Sequence, residues 1–415
     1  MSQISIKLKN CRICGSEKLE NVIDFGELSL TGVFLDNGSD VKQAPLQFNR
    51  CGDCGLVQLG HNYLQSELYG ASYGYESHLN QTMVHHLKQK ARVLERKYLI
   101  NNQNYVVVDI ASNDGTLLSG YMREGLVKVG IDPLIDVVSN YYPNDTIKIK
   151  NFFSASEYWK FSSDYANLVT SLSVIYDLEH PVSFAQQINE ILSEDGIWHF
   201  EQSYLPTMVE TKSYDTICHE HLLYLSLHDI LRILEEAGFK LLEASLNGVN
   251  GGSIAVTAIK SKRDVTPTPF VQYLIDSEIK NGIRNGDAII NFAENYHSHK
   301  LALKKLLLQY LESGFDVIGF GASTKGNVLL QTSGLDYSHI RAIGEVNIRK
   351  LGKQTPGSCI PIVSEKELIE SADNKTLALI LPWHFRETII PSLEVFLGKG
   401  GKLLFPLPNI EELST

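Results

Sequence analysis

Two cysteine pairs, Cys11-Arg12-Ile13-Cys14 and Cys51-Gly52-Asp53-Cys54, constrain this 415-residue chain more than any other feature. A two-residue gap lets both thiolates of one tight turn reach the same tetrahedral ion. A glycine follows each second cysteine, Gly15 and Gly55, where such a knuckle needs a positive φ. The direct reading is a structural zinc site that folds the first segment and, with four protein ligands, leaves no open position for chemistry. Disulfides or redox dithiols fit less well, because neither pair lies in a thioredoxin-like βαβ pattern and nothing marks the chain as secreted. The segment between the pairs, 16–50, is longer than the loop of a common finger and must form a small subdomain of its own.

At this length one core does not suffice, and two or three domains are expected. Lys+Arg 37 against Asp+Glu 48 gives a net charge of −11, which argues against a broad surface for phosphate backbones or anionic lipid. The zinc-type cysteines are therefore not read as DNA-binding. Met1 to Ser5 carries no basic-then-apolar leader, and the longest apolar runs, such as Leu377 to Leu381, are too short to span a bilayer. A cytoplasmic monomer without nucleic-acid or membrane partners is expected, with Cys218 and Cys359 as free thiols.

Residues 1 to about 70 read as loop-rich. From His78 to Leu99, the apolar positions Met83, Leu87, Ala91, Leu94 and Tyr98 keep near-helical spacing and lead into a strand at Tyr105–Ile110. Strands are predicted at 127–132, 166–171, 196–201 and 240–244. The helix 227–237 is opened by Ser226 with Asp229 three later and closed by Gly238. The alternation is that of a doubly wound α/β domain. After a polar linker over 260–269, a long helical segment, 272–313, feeds strands at 316–320, 340–343, 376–380 and 402–405, a second, smaller Rossmann-type sheet.

The first βα turn, Asp109-Ile110-Ala111-Ser112-Asn113-Asp114-Gly115, is a hydrophobic strand ending in acid and small residues. It departs from the dinucleotide fingerprint, since Ala111 and Asn113 stand where glycines would be. A pyrophosphate prefers bare backbone amides. Carboxylates and amides at the turn suit a ligand with a cationic amino-acid end, which describes S-adenosylmethionine. Asp132 ends the next strand, where an acid can accept both ribose hydroxyls.

The candidate chemistry lies in Cys218-His219-Glu220-His221-Leu222-Leu223-Tyr224. A His-x-His pair without a clear third and fourth ligand is a weak metal motif; a histidine poised as general base fits better, with Glu220 to orient or charge-balance it. In the last third, Lys325 inside the small-residue turn 321–327 can neutralise a phosphate. Asn347, Arg349, Lys350 and Lys353 follow the strand end at Glu345, and Trp383-His384-Phe385-Arg386 closes another strand. A nucleotide diphosphate would find donors here; Arg349 and Lys350 could equally be a solvated face.

Taken in order, the cysteine pairs, Tyr73-Gly74-Tyr75-Glu76-Ser77-His78, Ser112 to Thr116, Cys218 to His221, Asn250-Gly251-Gly252-Ser253, Gly321 to Asn327 and Leu381 to Glu387 carry a resemblance. Over nearly its whole length the chain resembles the sugar C-methyltransferases that act on nucleotide-linked 4-keto-deoxyhexoses. The resemblance implies an α/β protein of three parts. These are a zinc-binding N-terminal domain (1–72), a Rossmann-like domain holding S-adenosylmethionine (73–260) and a Rossmann-like C-terminal domain (261–415), with the sugar between the last two. It implies methylation at C3, with His221 removing the proton beside the C4 ketone and Glu220 assisting. Some members have tyrosine in the place of Cys218, so Tyr224 or Tyr75 would supply a phenol here, and many have glycine at Ala111. Substrate contacts are implied from Tyr73, Ser77, His78 and His219 on one side. On the other they are implied from Asn250, Lys325 and Asn327, from Glu345, Asn347 and Lys353, and from His384 and Arg386. The alternatives are an O- or N-methyltransferase acting on a nucleotide sugar and a non-catalytic nucleotide-sugar-binding protein.

Overall fold

Cys51 ends a strand, and the other three cysteines of the two pairs lie at the turns beside it. The computed structural model describes residues 4–34, 36, 41–69, 75–100, 104–138, 140–263 and 265–414. Its first part holds β1 (Ser5–Lys7), β2 (Leu19–Ser29), β3 (Gln43–Cys51), β4 (Val57–Leu59) and β5 (His61–Tyr63). β2, β3 and β4 form an antiparallel sheet with Leu19 opposite Cys51 and Phe48 opposite Leu59. The expected loop-rich segment is thus a sheet. β3 alternates, burying Ala44, Leu46 and Phe48, but β2 buries little and slips register twice, so no period of two shows in its sequence.

The second sheet is built from β6 (Val106–Ile110), β7 (Val127–Ile131), β8 (Ile147–Ile149), β9 (Ala166–Leu172), β10 (Leu192–Ser203), β12 (Phe239–Asn247) and β13 (Ser253–Lys260). Its order is β12-β13-β10-β9-β6-β7-β8, and β13 runs antiparallel to both its neighbours. β6 is buried along its whole length, as a central parallel strand must be. The strand order reverses at β6, between β7 and β9, which puts the ligand crevice at their carboxyl ends. β11 (Leu223–Tyr224), directly after the His loop, leaves this sheet and pairs with β4. The zinc-type piece is therefore stitched to the candidate chemistry by backbone hydrogen bonds.

The predicted long helix is two, Pro269–Lys280 and Asp287–Glu312, broken where Gly282 and Gly286 take positive φ. The third sheet comprises β14 (Asp316–Phe320), β15 (Ile343–Glu345), β16 (Ile362–Ser364), β17 (Thr376–Ile380), β18 (Lys402–Phe405) and β19 (Glu411–Leu413). Its order is β16-β15-β14-β17-β18-β19, parallel except for β19. β15 begins at Ile343, so the ladder starts where the predicted strand ends. One hydrophobic core runs through all three sheets. Buried Glu278 adds a polar tie, accepting from Tyr204 Oη (2.6 Å) and from Leu227 N (2.6 Å) at the start of the helix Leu227–Glu236. Among the described residues no helix is long and apolar enough to cross a membrane.

Candidate functional site

The sulfurs of Cys11, Cys14, Cys51 and Cys54 lie within 4.8 Å of one another, with Cys11–Cys54 and Cys14–Cys51 both 3.6 Å apart. Tetrahedral zinc with bonds of about 2.3 Å needs sulfur separations of about 3.8 Å, so the donor set fits the ion. Gly15 and Gly55, at φ +72° and +82°, turn their amides back to the carbonyls of Cys11 and Cys51, closing both knuckles. Arg12 anchors the first knuckle on the carbonyls of Leu59 and His61.

At the carboxyl end of β6 the chain enters a strained loop. Ala111 (φ +56°) and Asn113 (φ +49°) are left-handed without being glycine, a conformation that costs about 1–3 kcal/mol each and concentrates at functional sites. Neighbours hold it. Asn113 Oδ1 accepts Ser77 N, its Nδ2 donates to the Tyr75 carbonyl, and Asn113 N donates to Asp132 Oδ2 (3.0 Å). Asp114 is fully buried and accepts His78 N (2.8 Å), with His78 Nδ1 at 3.0 Å. Ser77 and His78, expected on substrate, are thereby tied to this loop. Tyr142 lies beneath it, its hydroxyl 2.8 Å from Ser112 Oγ and its ring against Gly115, where a Cβ would come within 2.6 Å. Asp109 takes a hydrogen bond from Thr170 Oγ1 (2.6 Å). Burial, and then the charges of Asp132 and Asp114, push its carboxyl up to about 7. Three acids crowding one crevice favour a cationic ligand, and the amino and sulfonium groups of S-adenosylmethionine fit that charge.

The His loop passes beside this crevice. His221 Nδ1 donates to the Thr216 carbonyl (2.9 Å), leaving Nε2 as the acceptor, and the ring packs on Tyr176 at 4.4 Å between centroids. Burial, with the Lys325 ammonium adding to it, lowers the imidazole to about 4. His221, Tyr176, Ser203, Tyr204 and Tyr224 line one small cavity. Tyr176 follows β9, next to the cofactor strand.

The expected support from Glu220 is corrected: the Thr216 carbonyl orients His221, whereas Glu220 faces Thr31 Oγ1 at 3.5 Å and leaves Oε1 buried without a partner. His219 is also corrected as a substrate contact. It has no exposed surface, bonds the Ala44 carbonyl through Nε2 (3.2 Å) and sets its ring edge-on to Tyr63, so it docks the loop on the N-terminal sheet. Cys218 is likewise buried, its thiol pushed well up by burial and by nearby Glu220. Tyr224 is buried against Phe48 with its hydroxyl unpartnered, and Tyr75 is exposed. Tyr73 lies outside the described residues.

From the third sheet, Lys325 Nζ donates to the Asn250 carbonyl (2.6 Å) and Trp383 Nε1 to Asp215 Oδ2 (2.8 Å). His384 packs on Gly251 and keeps a buried, unpartnered Nδ1. Asn327 Nδ2 donates to the Thr31 carbonyl (2.7 Å), with Oδ1 unpartnered. Orphaned polar atoms of Glu220, Asp215, Asn327, Tyr224 and His384 thus gather where the three sheets meet, and buried groups of this kind call for a polar ligand. Glu345 accepts the amides of Val346 and Asn347, Asn347 Oδ1 accepts Arg349 N, and Lys353 donates to the Phe34 carbonyl (3.1 Å). Arg349 is exposed, as a solvated face would be, whereas Lys350 is half-buried. Arg349 pairs with Glu76 (2.7 Å), and Lys350 donates to the Ala322 carbonyl (2.7 Å). Arg386 is brought elsewhere, to Glu411 (2.6 Å) at β19 and over the Phe405 ring.

Sequence reasoning missed Tyr176, Asp215, Thr216 and Thr31. Asp215 carried a usable signal, an acid three residues before Cys218; the others are joined to the site only by the fold.

Comparison with known proteins gives three family matches: a putative zinc binding domain over 11–69, a methyltransferase domain over 82–244 and a C-methyltransferase C-terminal domain over 248–408. The chain is 27% identical over 419 residues to C-methyltransferase NovU of Streptomyces niveus, covering 100% of this chain and 99% of the relative. Similar solved structures include the glycopeptide N-methyltransferase MtfA complexed with S-adenosylmethionine (13% identity, 42% of this chain, 93% of that one, TM-score 0.32). The mitomycin 7-O-methyltransferase MmcR is another (12% identity, 44% of this chain, 55% of that one, TM-score 0.33).

Proposed function

Because the chain belongs to the S-adenosylmethionine-dependent C-methyltransferases, we propose that it methylates C3 of a nucleotide-linked 4-keto-6-deoxyhexose in the biosynthesis of branched-chain sugars. The observation that carries this is His221. Its Nδ1–H is fixed on the Thr216 carbonyl, its Nε2 is free, and its ring packs on the tyrosine that follows the strand beside the cofactor loop. Asp109 to Gly115 and Asp132 would hold S-adenosylmethionine, which when bound would supply an electrophilic methyl group and take the bonding electrons back on its sulfur. His221 Nε2 takes the proton from C3, and the C–H electron pair passes into the enolate, from which it would form the new bond to the methyl carbon. The Thr216 carbonyl keeps the Nδ1 proton in place, so the imidazolium forms without a tautomer change. Base catalysis of this kind contributes roughly 10²–10⁴-fold, and the rest must come from alignment of the two reactants.

Lys325 and Lys353 neutralise the diphosphate in this scheme, and Tyr224, Cys218 and Glu220 border the sugar. We divide the chain functionally at 1–72, 73–260 and 261–415, the sugar lying between the second and third parts, and place it in the cytoplasm, where the zinc thiolates stay reduced. The experiment is incubation with S-adenosylmethionine and a panel of thymidine- and guanosine-linked 4-keto sugars, read by mass with the C3 proton followed by NMR. Gain of one methyl with loss of that proton is expected. A methyl gained on oxygen or nitrogen with the C3 proton intact would refute carbon methylation.

A further inference from the structure

Glu220 has neighbours that lie far from it in the sequence. The turn Thr31-Gly32, just beyond β2, crosses over the His loop, and there Thr31 Oγ1 donates to Glu220 Oε2 at 3.5 Å. The other carboxyl oxygen is buried against Gly32. A Cβ placed on Gly32 would overlap Glu220 Oε1 and stand 3.4 Å from Thr324 Oγ1. Gly32 is not in the left-handed region, so the position demands the absence of a side chain rather than backbone freedom. Any side chain there would displace the carboxyl.

The turn is also clamped from behind. Asn327 Nδ2 donates to the Thr31 carbonyl (2.7 Å), Ser29 N donates to Gln331 Oε1 (2.9 Å), and Gln331 Nε2 returns a bond to the Ser29 carbonyl (3.2 Å). All three come from the helix Thr324–Ser333 of the third sheet, and Thr31 itself has no exposed surface. Three side-chain-to-backbone bonds, one buried and two part-buried, fix the segment in one place. The turn therefore has little freedom to move aside, and neither has the carboxyl it encloses.

We propose that Thr31 and Gly32, in the zinc-stabilised N-terminal piece, are positioning residues for the Glu220 carboxyl, Gly32 leaving the space for Oε1 and Thr31 donating to Oε2. The metal-bound subdomain thereby completes the wall of the substrate site. This rests on Glu220 bordering the sugar, as given under Proposed function.

The test is a double-mutant cycle between Gly32→Ala and Glu220→Ala, read both by kinetics and by the denaturant midpoint. Gly32→Ala alone moves the carboxyl by about an ångström, a displacement that costs on the order of 10²-fold in kcat, while zinc content and S-adenosylmethionine affinity stay at the parent values. In the Glu220→Ala background there is room for the added methyl, so Gly32→Ala changes neither the residual rate nor the midpoint. Glu220→Asp, one carbon shorter, is expected to make Gly32→Ala milder than in the parent. Equal losses in every background would overturn the proposal, since Gly32 would then serve domain docking alone. The midpoint cycle needs no sugar: absence of coupling there refutes the contact, whereas failure of the unaltered protein to turn over any keto sugar refutes C-methylation instead.

Discussion

The position of Lys325 makes the pH dependence of the reaction a test of the site. Burial and the Lys325 ammonium together lower His221 to about 4, and the Thr216 carbonyl opposes them by holding Nδ1–H. An imidazole of ordinary pKa is half protonated near pH 6.5, where His221 is almost wholly neutral and able to act as a base. The acid limb of kcat/KM, which reports the free enzyme, should therefore lie well below 6.5. Lys325→Met removes the cation and keeps much of the bulk. Loss of a like charge raises the imidazole, so the limb moves to higher pH by about one unit, equivalent to roughly 1.4 kcal/mol of relieved repulsion. It stays below 6.5 because burial is the larger cause. A bound diphosphate neutralises the same ammonium, so in the parent the acid limb of kcat should lie above that of kcat/KM, and in Lys325→Met the two should converge. The assay is the pH profile of methyl transfer under single-turnover and steady-state conditions. A limb that is unmoved, or that shifts to lower pH in Lys325→Met, would refute the coupling of Lys325 to the base.

Removing zinc with a chelator, or Cys51→Ser, should undo the N-terminal sheet, because β3 ends on Cys51 and structural zinc contributes roughly 10–16 kcal/mol of apparent folding energy; limited proteolysis between 5 and 63 reads this, and a resistant sheet without metal would contradict it. Gly115→Ala places a Cβ 2.6 Å from the Tyr142 ring at φ +83°, and should cost about 1–3 kcal/mol and weaken S-adenosylmethionine by tenfold or more in calorimetry. An unchanged affinity would remove this loop as the cofactor seat. Trp383→Phe leaves both oxygens of Asp215 buried and unpaired, and should destabilise the protein by about 1.5–3 kcal/mol in denaturant unfolding; a change within about 0.5 kcal/mol would show that water or another donor replaces the indole.

The parts of the fold that sequence made legible are those where local pattern and burial coincide. β6 reads as a central strand because all its side chains are enclosed, and the helix Leu227–Glu236 is announced by the capping box of Ser226 and Asp229. The cysteine spacing announces its own cluster. β2 was hidden because neither of its faces is consistently apolar, and the break between the helices Pro269–Lys280 and Asp287–Glu312 was hidden because Gly282 and Gly286 lie within an otherwise helical pattern. In the candidate site, the acids at the ends of β6 and β7 and the histidines of the loop before β11 were legible as residue types. What orients them was not. Thr216 acts through a backbone carbonyl, which no side chain advertises, and Gly32 acts through a missing one. Conversely, His219 looks like a partner of His221 in sequence, yet the chain turns between them, His221 N donating to the Cys218 carbonyl (3.1 Å), and the His219 ring goes into the N-terminal sheet.

The central claim is that His221 Nε2 takes the C3 proton. The direct measurement is exchange of that proton with deuterium oxide, followed by NMR on the 4-keto sugar nucleotide, for the parent protein and for His221→Asn. The parent should wash deuterium into C3, and His221→Asn should bind S-adenosylmethionine normally while neither exchanging nor methylating. Exchange that persists in His221→Asn would mean that another group is the base.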